Sequence, residues 1–175
     1  GSGDGDAVAE IAALGPQFAR AFEMISHAGG SVARIDPYYG GYKLLVLFGA
    51  PIRREQDEIN AIHSATELRR LFTGDFSIRI GLAFGSLICG DVGSESRKEY
   101  TVMGTAANMA ARLMSQAASG DILLDNNLKG RVPATVMTSQ QELSLKGIGQ
   151  AVSCYLYEGV RDDATSITES HLLVG

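Results

Sequence analysis

Residues 97–112 read RKEYTVMGTAANMAAR: a strand that turns from polar to apolar, a glycine at 104, and then a helix built almost wholly of small residues. Asn108 and Arg112 stand four apart in that helix, so their side chains lie one above the other on a single face. A carboxamide and a guanidinium projecting together suit one anionic, oxygen-rich ligand. Ala106, Ala107, Met109, Ala110 and Ala111 flank the pair. Side chains that small permit a close backbone approach to whatever packs on the helix.

Outward from this stretch toward the N-terminus, SIRIGLAF at 77–84 alternates strictly and places Ile78, Ile80, Leu82 and Phe84 on one side of a strand. Gly85 interrupts it, SLICG at 86–90 resumes it as a hairpin-like pair, and Asp91–Ser94 turns the chain toward residue 97. Before it, Ala61, Ile62, Ala65, Leu68 and Phe72 make one face of a helix that a charged loop, IRREQDE at 52–58, leads into. Asp57 at the start of that helix is read as a cap.

KLLVLF at 43–48 is a short continuous apolar run ended by Gly49-Ala50-Pro51, the pattern of a central strand buried on two faces. SVARI at 31–35 predicts a short strand running into a turn-rich DPYYGG. The apolar stripe Val8, Ile11, Leu14, Phe18, Phe22 and Ile25 predicts one kinked helix or two short ones, re-angled at Gly15-Pro16.

On the C-terminal side, DILLDNNLKG at 121–130 predicts a strand and a short helix or turn. ATVMT, ELSLKG and VSCYLYEGV predict three further strands. The element order predicts an α+β sandwich with helices on a mostly antiparallel sheet. No strand precedes the first helix, so a split βαβ, ferredoxin-like core starts one strand short.

A chain of 175 residues with 45% hydrophobic content is sized for one domain with a real core. A net charge of −5, with no basic run longer than Arg53-Arg54, argues against nucleic acid as a partner. No apolar run approaches the roughly 18 residues of a membrane span. Cys89 and Cys154 lie in apolar runs without metal-ligand spacing and are expected to be buried reduced thiols, which points to a cytoplasmic protein. Residues 1–6 are expected to be tag or linker, 7–160 the domain, and 161–175 a linker toward a further, C-terminally fused output domain.

The ordered motifs in RIGLAFGSLICGDVGSESRKEYTVMGTAANMAARL at 79–113 resemble the catalytic core of class III adenylyl/guanylyl cyclases. HAGGSVARI, KLLVLFGAP and LSLKGIGQAVSCYLY extend the likeness over roughly residues 20–158. The resemblance implies a ferredoxin-like cyclase-homology fold and a site at the interface of two such domains, in a homodimer or in a heterodimer with another cyclase domain. It implies a nucleoside triphosphate as substrate, ATP or GTP, and Mg or Mn held by two aspartates.

Carried over by position, Thr101 touches the purine edge, Asn108 orients the ribose, Arg112 stabilises charge at the α-phosphate and Lys146 holds a terminal phosphate. The base-selecting position falls on Arg34 when counted forward from Gly29-Gly30, and on Tyr38 when counted back from FGAP.

The metal positions depart from the family pattern. The first aspartate belongs to a strand ahead of the first helix. The second falls on Tyr42 by one count and Tyr38 by the other, with Asp36 the sole carboxylate in the loop. A phenol with a pKa of about 10 is a poor ligand for a hard cation. The expectation is a chain that keeps its substrate-positioning residues, lacks metal aspartates, and has little or no cyclase activity alone or as a homodimer. It is then the complementary half of a cyclase, or a nucleotide-sensing or dimerisation module.

Overall fold

The computed structural model describes residues 3–38, 40–74, 76–94, 97–144 and 149–162. Its best-buried strand is β6, Ile122–Asp125, whose four residues are all buried. Ile122 and Leu124 pack with Ile62 and Ala65 of helix α2, Asp57–Leu71. Leu123, pointing the other way, packs with Leu113 of helix α3, Thr105–Gln116, and with Ala117 and Cys154. Side chains alternate across a strand, so this ILLD run joins two hydrophobic clusters into an α/β/α arrangement.

Around β6 the sheet runs β3-β6-β8-β7, where β3 is Ile80–Leu82, β7 Val136–Ser144 and β8 Ala151–Val160. β3 pairs parallel with β6; β6–β8 and β7–β8 are antiparallel. Two separate two-stranded ribbons complete the described strands. One is β1, Gly30–Tyr38, with β2, Gly41–Phe48; the other is β4, Ile88–Ser94, with β5, Arg97–Met103. Helix α1, Gly3–His27, packs on β1 and α2, and α4, Asn126–Lys129, is a single turn.

The α+β class, the amphipathic helices, and the strand followed by a short helix at 121–130 agree with the sequence reading. Several local readings are corrected. Of the two forms expected for the first element, the two short helices are excluded: α1 is one helix that continues through Pro16. DPYYGG is mostly not a turn: β1 continues through Pro37 and Tyr38, and its register ends at Tyr38↔Gly41. Pro37 is tolerated because, among the described residues, β1 is bonded only on its β2 side, so no described ladder on the other side needs its missing N–H.

β2 is not buried on two faces. Only Leu47 is buried, and its sole strand partner among the described residues is β1. The 77–84 stretch forms just three strand residues, and it does not pair with 86–90. Asp91–Ser94 belongs to β4, whose partner is β5. ATVMT and ELS form one strand, β7, with a register shift between Met137 and Thr138. The rest of ELSLKG lies outside the described residues, as do residues 163–175 of the expected linker.

Both thiols are free. Cys154 is fully buried, whereas Cys89 is only half-buried. No helix among the described residues is long and apolar enough to cross a membrane.

Candidate functional site

Helix α3 is set by two close approaches that only glycine allows. A β-carbon at Gly104, which precedes the helix with φ +155°, would sit 2.5 Å from the Ser86 carbonyl oxygen. On β3, a β-carbon at Gly81 would sit 2.1 Å from the Ala110 carbonyl oxygen and 2.6 Å from the Met114 nitrogen. The run of small residues read from the sequence thus does what its composition allows: it brings helix backbone onto strand backbone. Ala106 and Leu113 are buried on the strand side.

Asn108 and Arg112 project from this anchored helix one turn apart, Asn108 exposed and Arg112 partly buried. Among the described residues neither side chain has a hydrogen bond or ion pair; the Arg112 carbonyl accepts from Ser115 Oγ at 2.7 Å. An unengaged guanidinium fork beside a carboxamide can clamp a phosphoryl group and a hydroxyl.

Thr101 lies on β5 opposite Gly90, partly buried, three residues before the glycine that starts α3. Lys146 falls outside the described residues. Arg34 lies across a cleft of about 1220 Å³ that Asn108 also lines. Its Nε donates to Asp36 Oδ2 at 2.7 Å, with both side chains about half exposed, an ion pair worth little in water. Thr101 and Arg112 do not line that cleft. The structure therefore brings Asn108 together with Arg112 on one helix face and with Arg34 on one cleft, but does not gather all of the site residues in a single pocket.

Among the described residues, the side chains do not assemble a divalent-metal centre. No group of three or more His, Cys, Asp or Glu among the described residues could hold a cation. Asp36 is engaged by Arg34, and the Tyr42 ring packs edge-on against Phe18 at 5.5 Å between centroids. Tyr38 lies under the Lys43 ammonium, 5.2 Å from its ring centre.

The sequence reading missed a node at the end of β3. Asp125 is buried, and its Oδ1 accepts from Leu128 N at 2.8 Å and Phe84 N at 3.2 Å, tying the chain after β3 to α4. Burial pushes its carboxyl pKa up, against the backbone hydrogen bonds from Leu128, Phe84 and Asn127 that pull it down. The Phe84 ring carries two guanidinium groups, Arg131 at 3.8 Å and Arg53 at 5.0 Å. Glu58 Oε1 accepts from Arg53 Nη2 at 2.6 Å. These residues are scattered between 53 and 131, so no local spacing could have announced them. Asp57, read as a cap, is the first helical residue: its Oδ2 accepts from Arg54 N at 2.5 Å, closing the turn before α2.

The profile of the adenylate and guanylate cyclase catalytic domain matches residues 10–159. Adenylate cyclase type 10 of Rattus norvegicus is 37% identical over 89 residues, 49% of this chain and 6% of that protein. An uncharacterized protein of Mycobacterium tuberculosis strain H37Rv is 36% identical over 97 residues, 50% of this chain and 18% of that protein. The chain thus spans a small fraction of the length of these curated relatives. Among solved structures, the guanylyl cyclase Cya2 superposes with a TM-score of 0.74 at 25% identity, covering 87% of this chain and 82% of that one. The adenylyl cyclase CyaB from P. aeruginosa also gives 0.74, at 24% identity, with 90% and 85% covered.

Proposed function

Because the chain belongs to the adenylate and guanylate cyclase catalytic domain family, we propose that it is the substrate-positioning half of a nucleotidyl cyclase. It would turn ATP or GTP into cyclic nucleotide and pyrophosphate when a second domain supplies metal-holding carboxylates. The observation that carries this reading is Asn108 and Arg112, unengaged among the described residues and one turn apart on α3, a helix whose backbone lies directly on β3 at Gly81.

The reaction is an in-line attack of the ribose 3′-oxygen on the α-phosphorus, with pyrophosphate leaving. Catalysis is then largely positioning and charge stabilisation. Asn108 holds the ribose so that its 3′-oxygen faces the phosphorus, and Arg112 meets the charge that grows on the α-phosphoryl oxygens. Thr101 contacts the purine edge, Lys146 a terminal phosphate, and Arg34 the base. The carboxylates and their Mg or Mn come from the partner. Without them several kcal/mol of barrier lowering are lost, so little or no turnover is expected of this chain alone.

The test is complementation. Mixing the chain with a cyclase domain that keeps both aspartates but lacks the Asn/Arg pair is expected to yield cyclic nucleotide from ATP or GTP, and Arg112→Ala is expected to abolish it. No product from the mixture with Arg112 intact would overturn the reading.

A second reading, a dimerisation or nucleotide-sensing module, is favoured by Ile88 and Met103. These two cross-strand neighbours are 72% and 57% exposed, an apolar pair suited to a second cyclase domain. Metal-free calorimetry separates the readings: nucleotide binding abolished by Arg112→Ala, without turnover in the mixture, selects the sensor.

A further inference from the structure

The parallel ladder of β3 and β6 covers Ile80↔Ile122, Gly81↔Leu123 and Leu82↔Leu124 and stops there. Beyond it, side chains of the α4 turn take both backbone groups of Phe84. Its N–H donates to Asp125 Oδ1 at 3.2 Å, and its carbonyl accepts from Asn127 Nδ2 at 3.4 Å. The same Asp125 oxygen accepts from Leu128 N at 2.8 Å and so caps α4. Leu128, buried with Ile122 and Leu124, seats that turn in the core.

The residues after Phe84 pack on the start of α3. A β-carbon on Gly85 would stand 3.2 Å from the Ala106 β-carbon, and one on Gly104 would stand 2.5 Å from the Ser86 carbonyl oxygen and 3.1 Å from the Leu87 α-carbon. Gly104 is the N-cap of α3, and its carbonyl accepts the Asn108 N–H at 3.3 Å. The path from Asp125 to Asn108 therefore runs mostly through backbone: Phe84 to Ser86, Ser86 against Gly104, Gly104 to Asn108. Close-packed backbone has no rotamer with which to absorb a shift, so it transmits one. The later part of α3 has a different seat, Gly81 against Ala110 and Met114, which lies inside the β3–β6 ladder. Arg112 belongs to that second seat, and Asn108 depends on the first.

We propose that Asp125, aided by Asn127, is a positioning residue for the nucleotide site: by clamping Phe84 it holds the 84–87 connector against Gly104 and so sets where Asn108 presents its carboxamide. This rests on the reading of Asn108 and Arg112 as substrate-positioning groups. Neither Asp125 nor Asn127 lines the cleft that Asn108 borders; both act through the connector.

The clamp is separated from the cap by the double variant Asp125→Ser/Asn127→Ala. Serine caps a helix about as well as aspartate, which keeps α4, but its hydroxyl is one bond shorter and falls short of Phe84 N. Asp125→Asn keeps both the reach and the acceptor. Amide hydrogen exchange read by NMR follows Phe84 and Asn108, with Leu113 and Leu123 as references, and calorimetry with metal-free ATP and GTP follows affinity. In the double variant the Phe84 and Asn108 amides are expected to exchange roughly tenfold faster while Leu113 and Leu123 keep their parent rates. Nucleotide affinity is expected to fall roughly tenfold. Asp125→Asn should match the parent in both readouts.

A parent rate at Asn108 in the double variant overturns the proposal, whether or not Phe84 has lost its protection. Equal acceleration of Asn108, Leu113 and Leu123 also overturns it, since that is a general loss of stability. Unchanged affinity alongside fast Asn108 exchange overturns the positioning role. A parent chain that binds neither nucleotide overturns the substrate-positioning reading instead, and the Asn108 and Leu113 rates still decide whether the clamp holds the start of α3.

Discussion

Gly81 of β3 lies under Ala110 of α3 so closely that a β-carbon at 81 would stand 2.1 Å from the Ala110 carbonyl oxygen. Strand backbone meets helix backbone there, with no flexible side chain to yield.

Gly81→Ala therefore has to displace β3 or α3 as a unit. Overpacking of this kind costs about 3 kcal/mol, measurable as a fall in the denaturation midpoint. Because α3 carries Asn108 and Arg112, nucleotide affinity is expected to fall in the same variant. A midpoint equal to that of the parent chain would contradict the contact.

Arg112→Ala is expected to behave oppositely. No interaction within the described fold uses the Arg112 side chain, so stability should change by no more than about 0.5 kcal/mol. Nucleotide binding, read by calorimetry, should be lost. Arg112→Lys should restore only part of it, since an ammonium lacks the bidentate fork.

Asp125 makes stability depend on pH with a definite sign. Burial raises its folded-state pKa above the ordinary value of 3.8, so between those two values the folded chain holds more protons than the unfolded one. Its contribution to stability is therefore largest below pH 3.8 and declines as pH rises through the raised pKa. Asp125→Asn keeps an acceptor for Leu128 N and Phe84 N and should flatten that slope in denaturation curves taken at several pH values. Asp125→Ala loses the cap and should cost about 1–2 kcal/mol.

The two thiols should separate cleanly in labelling. Cys154 is fully buried, and desolvation, aided by the negative charge of Glu142, pushes its pKa up. Thiolate is the reactive species. A native chain treated with a thiol reagent should therefore modify at Cys89 and spare Cys154, both reacting after denaturation; mass spectrometry of the digest reads the outcome.

Replacing the exposed cross-strand pair as Ile88→Glu with Met103→Lys should weaken self-association or pairing with another cyclase domain, with little effect on the fold. Sedimentation velocity over a concentration series measures it.

What the sequence determined by itself is what local periodicity can carry. The α3 helix, the common face of Asn108 and Arg112, the Gly104 turn into that helix and the apolar face of α2 all rest on spacings within a turn or two, where covalent geometry fixes which side chains are neighbours. The ordered motifs carried the family as well. What only the tertiary structure decided is pairing. KLLVLF and ILLD look alike as apolar runs, yet β6 is sandwiched between two helices while β2, among the described residues, pairs with β1 alone. The tie between Phe84 and Asp125, 41 residues apart, is likewise invisible until the chain is folded. Strand partners and buried hydrogen bonds join residues tens of positions apart, and their energies depend on which edges and faces meet in space, which no local pattern encodes.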